Sequence, residues 1–172
     1  IKNMLSLKNS LAVLKKTEAL KEGHFVLSSG LHSHQYVQCA KLLSFPNKAN
    51  KICKSLAFKI KKNFKKIDII LSPAMGGIII GYEIGKILKI ETIFCERVKG
   101  KFKLRRGFKI KPNAKVLIVE DVITTGKSSL ECVKLINNSK AFVVGFACLI
   151  NRSNKNYLKN NKKIISQIKL NI

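Results

Sequence analysis

Residues 115–129 read KVLIVEDVITTGKSS, and no other stretch limits the possible folds of this chain as tightly. Val116, Leu117, Ile118 and Val119 form a short, wholly apolar run that ends on two adjacent acids, Glu120 and Asp121. An apolar run of this length, bounded by turn residues, fits a strand buried on both faces of a parallel sheet. Val122 and Ile123 follow, and then Thr124, Thr125, Gly126, Lys127 and Ser128 make a hydroxyl-rich turn before a helical pattern. Two carboxylates side by side at a strand end repel each other and gain nothing from packing, which points to a site. Backbone amides at the helix start can bind a phosphate. The carboxylates can accept hydrogen bonds from ribose hydroxyls or help hold a metal-bound substrate. Gly126-Lys127-Ser128 matches the end of the nucleotide P-loop, but that motif needs a glycine where Asp121 stands, so spacing excludes it.

The rest of the chain alternates between two periodicities. Leucines at 7, 11, 14 and 20 predict an N-terminal helix ending near Gly23, then two short strands over 24–39 with a turn at 30–33. Pro46 is placed to open a helix with the stripe Ala49, Ile52, Cys53, Leu56, Ile60 and Phe64. Strands are expected over 67–71, 92–95, 116–119, 142–150 and 164–168, with a helix over 78–88 and another after the 124–129 turn. Such alternation predicts an α/β fold with a parallel sheet. The first 40 residues break the pattern and are expected to cap the strand ends. At 172 residues the chain fits one domain with a full core. Its apolar runs fall far short of the ~20 residues that span a bilayer, and no secretory pattern opens the sequence. Five dispersed cysteines read as reduced core thiols, and together these features predict a cytoplasmic protein.

A net charge of +25 raises the question of nucleic acid. The 30 lysines are spread along every segment, which fits a solvated basic surface with weak, salt-sensitive affinity for polyanions. No specific nucleic-acid partner is expected. The four arginines stand out against this background: Arg97, Arg105 and Arg106 share one short segment, and Arg152 follows a strand. The planar fork of arginine suits carboxylate or phosphate recognition in a way lysine cannot match. Residues 97–111 therefore read as a long basic loop able to close over a polyanion as a lid, set against the plainer reading of a solvated hairpin. Ser72-Pro73-Ala74-Met75-Gly76-Gly77 forms a second strand-to-helix loop whose small residues let backbone N–H groups approach an anion. Two such loops suit a substrate with a phosphate at one end and a diphosphate at the other. His24, His32 and His34 do not have the spacing of a metal cluster.

The 115–129 segment resembles the 5-phosphoribosyl 1-diphosphate (PRPP) signature of the type I phosphoribosyltransferases. Its Glu-Asp opening with two threonines is most similar to the orotate-using members. The hood-like 23–33 segment, the GGIIIGYE helix, the arginine-rich loop and Asn151-Arg152-Ser153 extend the resemblance from about Gly23 to Arg152. It implies a single domain over 1–172: a central, mostly parallel sheet flanked by helices, with a core of about 46–152 and a small hood from about 1–45 plus the C-terminal tail. It implies transfer of the phosphoribosyl group to orotate, giving orotidine 5′-phosphate and diphosphate in pyrimidine (UMP) synthesis. PRPP would be bound by Arg97, Lys101, Lys103, Glu120, Asp121, Val122, Ile123, Thr124, Thr125, Gly126, Lys127 and Ser128, with Ala74, Met75 and Gly76 on the diphosphate. Lys101, Lys103 and Asp121 would be catalytic, and Thr124 and Arg152 would contact orotate. Mg²⁺ would be held mainly through the substrate, with no protein ligand assigned. A homodimer sharing the 97–108 loop between subunits is also implied. This chain departs from many relatives at Val98, at Lys103 (often histidine) and at Ser28 (lysine in some). A type I transferase for another base, or a nucleotide-sensing RNA-binding regulator on the same fold, are the alternative readings.

Overall fold

The computed structural model describes residues 4–26, 30, 32–153 and 162–170. In chain order the elements are α1 (Leu7–Lys16), β1 (Leu20–Val26), β2 (His32–Val37), α2 (Cys39–Leu43), α3 (Pro46–Asn63), β3 (Ile69–Pro73) and α4 (Gly76–Leu88). There follow β4 (Glu91–Val98), β5 (Lys101–Leu104), β6 (Lys115–Ile123), α5 (Lys127–Asn138), β7 (Phe142–Asn151) and β8 (Ile164–Lys169). Six strands form one sheet in the order β5-β4-β3-β6-β7-β8, parallel throughout except for the edge strand β5. β1 and β2 make a separate antiparallel ribbon. The sheet is the predicted α/β architecture, with the ribbon as the hood.

Topology explains where the helices lie. From β3 the chain crosses through α4 to β4 on one side, whereas from β6 it crosses through α5 to β7 on the other. Right-handed crossovers in opposite directions must put α4 and α5 on opposite faces. Ile80 and Ile84 of α4 accordingly share a core with Ile70, Leu117 and Val119, together with α1, α2 and α3. Cys132 and Ile136 of α5 pack with Leu71, Ile118 and Cys148 on the other face. Covered on both sides, β3 is buried at every residue and β6 from Val116 to Glu120, as its unbroken apolar run requires.

A spine of glycines brings α4 unusually close to the sheet. Gly77, Gly81 and Gly85 recur every four residues on one helix face. A Cβ at Gly77 would lie 3.0 Å from the Val119 carbonyl oxygen, and one at Gly81 2.1 Å from Ser72 Oγ. At Gly85 it would meet Thr92 Oγ1 at 1.8 Å and the Ile90 carbonyl oxygen at 2.9 Å. No side chain fits between α4 and the strands along this line.

Several boundaries differ from the sequence reading. The first helix ends at Lys16, not near Gly23: Thr17 Oγ1 donates back to the Val13 and Leu14 carbonyls (2.9 and 3.1 Å), and Leu20 opens a strand. The short α2 was not anticipated, and β3 begins and ends two residues later than the 67–71 reading. The predicted 97–111 loop starts as a β-hairpin. β4 runs on to Val98, Lys99 (φ 50°) and Gly100 (φ 79°) make the turn, and β5 returns. Two positive φ values suit the twist of a two-residue hairpin. The alternation of Lys101 out, Phe102 buried and Lys103 out marks a strand, and the density of lysine concealed it.

The chain ends are tied together on the main sheet. Gln167 Nε2 donates to Ser10 Oγ at 2.8 Å, and Lys59 Nζ donates to the Ser166 and Gln167 carbonyls at 3.2 and 3.1 Å. All five cysteines are buried and free. None of the described helices is long and apolar enough to cross a membrane. Ser28 and most of the basic run at 159–163 lie outside the described residues.

Candidate active site

The two predicted anion loops occupy the carboxyl ends of the adjacent strands β3 and β6. Strand order reverses between these two, and in open α/β sheets the crevice at such a switch point receives the ligand. The loops touch there. A Cβ on Gly76 would lie 2.6 Å from Asp121 Oδ2 and 2.7 Å from Oδ1, so only glycine lets the α4 start approach this carboxylate. The Ala74–Met75 peptide in this loop is cis, and the Ala74 N–H donates to the Cys95 carbonyl at 2.8 Å, joining the loop to β4.

Strand alternation sends the two acids to opposite faces. Asp121 follows Leu117 and Val119 towards α4, whereas Glu120 follows Val116 and Ile118 towards α5 and accepts a hydrogen bond from Ser129 Oγ. Glu120 is only 7% exposed. Burial pushes its carboxyl up to about 7, helped by the Asp121 charge and opposed by the Ser129 bond. Burial also raises Asp121, against the lowering effect of hydrogen bonds from backbone N–H groups, Val122 first. Among the described residues Glu18, Glu22, Asp68, Glu83, Glu96 and Glu131 each lie within ion-pair distance of a lysine or arginine. Glu120 and Asp121 have no such partner among those residues.

Both helices that begin at the crevice lack a side-chain cap. Met75 stands at the N-cap of α4, and Gly126 (φ 73°) at that of α5; neither first turn contains an acid. Contrast α1, where Ser6 Oγ accepts from the Asn9 N–H at 3.1 Å. First-turn N–H groups without a side-chain cap and the positive end of the helix dipole leave an anion seat. At α5 that seat is a cavity of about 70 Å³, lined by Glu120, Val122, Ile123 and the whole turn from Thr124 to Ser128. It is far smaller than the ~300–1,000 Å³ of whole-ligand pockets and suits a single phosphate group. Lys127 is exposed at the first helical position, and its N–H donates to Thr125 Oγ1 at 3.4 Å.

Arg152 lies beside this turn. Its N–H donates to the Ile123 carbonyl at 2.8 Å, and partial burial lowers the pKa of its guanidinium. Asn151 Oδ1 accepts from the Ser153 N–H and hydroxyl at 2.9 and 2.6 Å, fixing the backbone around Arg152.

The structure thus brings the 74–76 loop, the two acids, the 122–128 turn and Arg152 to one end of the sheet. The hairpin cations lie outside the small cavity. Lys101 and Lys103 point to solvent. Arg97 stacks over Phe102, 4.1 Å from the ring centre, with Nη1 2.8 Å from Glu131 Oε2 on α5 and donating to the Gly100 carbonyl at 2.8 Å. Arg105 and Arg106 both approach Glu96, at 3.4 and 3.1 Å. Sequence reasoning missed three partners: Ser129, Glu131 and Glu96. The last two were legible as acids in a chain that has only nine.

A parallel sheet with two uncapped helix starts meeting at its switch point, beside a buried glutamate and a half-buried aspartate, is the arrangement of the phosphoribosyltransferase class. A model of the phosphoribosyl transferase domain family matches residues 45–171. An orotate phosphoribosyltransferase of Rhizorhabdus wittichii is 48% identical over 145 residues, spanning 84% of this chain and 74% of that one. One from Helicobacter acinonychis is 48% identical over 141 residues, spanning 82% and 70%. The crystal structure of orotate phosphoribosyltransferase from Aeropyrum pernix superposes with a TM-score of 0.81 at 23% identity, covering 92% of each chain. An adenine phosphoribosyltransferase from Thermoanaerobacter pseudethanolicus also superposes, with a TM-score of 0.72 at 16% identity over 92% of this chain and 99% of that one. These two likenesses establish the fold alone and do not choose the base; the sequence relatives do. The chain belongs to the orotate phosphoribosyltransferase family.

Proposed function

We propose that this protein transfers the 5-phosphoribosyl group of PRPP to orotate, releasing diphosphate and forming orotidine 5′-phosphate, a step of pyrimidine biosynthesis. The close approach of Gly76 to Asp121 supports the reading, because the loop we assign to the diphosphate then lies beside the acid we assign to the ribose. In this assignment the Thr124–Ser128 turn and the α5 N–H groups hold the 5′-phosphate. The Ala74–Gly76 loop and the α4 start hold the diphosphate. Glu120 and Asp121 accept hydrogen bonds from the ribose hydroxyls, and the fork of Arg152 takes the orotate carboxylate, with Thr124 beside it.

Bond cleavage at C1 of the ribose leaves positive charge on the sugar and negative charge on the departing diphosphate. The fixed N–H groups of the α4 loop stabilise the second without reorganising. Asp121, against the same loop, stabilises the first. Arg97, Lys101 and Lys103 would join the diphosphate once the hairpin swings from α5, breaking the Arg97–Glu131 pair.

Among the described residues no three His, Cys, Asp or Glu side chains cluster as a metal cage. Two carboxylates without basic partners fit a Mg²⁺ ion held through substrate oxygens and water, which is the usual habit of that ion. It would supply charge neutralisation on the diphosphate. A homodimer is supported by Met75, at the α4 N-cap, and by Ile79 and Tyr82 on α4, which are 84%, 50% and 63% exposed at spacings of four and three residues. Exposed apolar side chains at this helical spacing suit burial against a second copy. Sedimentation should find two chains per particle. Five buried free thiols suit work in the cytoplasm.

Orotate depletion, followed by absorbance with PRPP and Mg²⁺, tests the reading. Asp121→Asn should slow turnover with any base, and Arg152→Ala should chiefly raise the KM for orotate. Full activity in both variants would overturn the site assignment, and turnover of adenine or uracil in place of orotate would overturn the choice of base.

A further inference from the structure

At the amino ends of β3 and β4, across the sheet from the active site, lies a cavity of about 760 Å³ that transfer chemistry does not use. Its size falls within the ~300–1,000 Å³ range of small-molecule sites. The last turns of α3 and α4 form its walls. Ala57, Phe58, Phe64 and Ile67 line one side, and Ile87, Leu88 and Ile90 the other. Apart from the buried Ala57 these side chains are only half-buried, so the floor is apolar surface open to water.

Five lysines stand around this floor: Lys54, Lys61, Lys65, Lys66 and Lys89. Asp68 is the one acid in the lining. It is already satisfied by the Lys115 N–H at 2.8 Å and by Lys66 Nζ at 3.4 Å. The other four lysines have no ion-pair partner among the described residues. The carboxyl ends of two helices face the same space, but each contributes only roughly half a negative charge. Four whole positive charges outweigh them.

The lining also limits what kind of anion could fit. It contains no hydroxyl, amide, imidazole or guanidinium side chain. A nucleobase or a sugar needs acceptors as well as donors, but apart from the already engaged Asp68 these side chains offer lysine donors only, and burying its own donors unpaired is costly. A plain hydrocarbon body with one charged head satisfies both parts of the lining, laying the chain on the apolar floor and the head among the lysines.

We propose that this cavity is a binding site for a long-chain carboxylate, separate from the PRPP and orotate site. Calorimetric titration with dodecanoate below its micelle concentration, using the full chain, tests it. One equivalent should bind saturably, and dodecanol should bind about tenfold more weakly, the loss expected when a head group no longer pairs with lysines. The double variant Lys61→Glu/Lys65→Glu alters exposed side chains only. It should lower dodecanoate affinity about tenfold, leave dodecanol unchanged and retain full orotate turnover. PRPP should not displace the ligand. Absence of saturable binding, equal affinity for the alcohol and the acid, displacement by PRPP, or an unchanged dodecanoate affinity in the lysine variant would each overturn the proposal.

Discussion

Glu120 offers the sharpest test of the site, because its burial acts in opposite directions on folding and on catalysis. Its carboxyl is raised from an ordinary 4.5 to about 7, first by desolvation. Between these values the folded protein holds a proton that the unfolded chain has released. Stability therefore falls as pH rises through this window, and the loss is complete once pH exceeds about 7. At about 1.4 kcal/mol for each tenfold change in proton affinity, the whole effect is about 3 kcal/mol. Glu120→Gln keeps the shape, still accepts the Ser129 hydroxyl through its amide oxygen, and stays neutral at every pH. Urea unfolding at fixed ionic strength should therefore find the variant within ~1 kcal/mol of wild type at pH 5 and about 3 kcal/mol more stable at pH 8. The three histidines and 30 lysines are common to both proteins and cancel in the difference. Turnover should move the other way: a ribose hydroxyl loses a charged acceptor, and kcat/KM for PRPP should fall about tenfold or more at pH 8. A stability difference that does not change with pH would refute the burial argument, whatever happened to activity.

Three further substitutions probe the geometry. Gly76→Ala puts a methyl 2.6 Å from Asp121 Oδ2, and the displacement should lower kcat/KM for PRPP about a hundredfold while circular dichroism shows a folded protein; normal kinetics would remove the loop contact from the mechanism. Gly85→Ala should gain about 1 kcal/mol of helix propensity but lose about 1–3 kcal/mol against the Ile90 carbonyl and Thr92, so urea unfolding should show a net loss. Gly100→Val forces a β-branched residue into φ 79° at about 1–2 kcal/mol; slower turnover with little change in the melting of the main sheet would tie the hairpin to catalysis.

The parts of this fold that sequence made legible are those where one periodicity had no competitor. The apolar run before Glu120 and the one before Asn151 could only be buried strands, and Pro46 marked the start of α3. The hairpin was harder. In a segment holding four lysines and three arginines over 97–109, a strand with a single buried Phe102 looks the same as a solvated loop. The helix α1 was overextended because Leu20 falls near its stripe, although Leu20 packs from a strand. For the site, the two loops and Arg152 were readable from residue type. The separation of Glu120 from Asp121 onto two faces was implicit in strand alternation. The closeness of Gly76 to Asp121 was not, since strand order alone brings β3 beside β6.

The lack of a basic partner at Glu120 and Asp121 among the described residues has a consequence for how substrate arrives. At a net charge of +25, the protein attracts a polyphosphate from any direction, and the association rate should drop as salt is added. Within the crevice the charges are divided: the two helix starts and Arg152 present positive ends to a phosphate, whereas Asp121 and, once ionised, Glu120 present carboxylates with no basic partner among the described residues. A polyphosphate carrying its own divalent cation would meet a complementary charge at both kinds of group, whereas a bare one would leave the carboxylates uncompensated. Such a site would favour the metal-loaded form of its substrate, because no lysine among the described residues pairs with these two carboxyl groups.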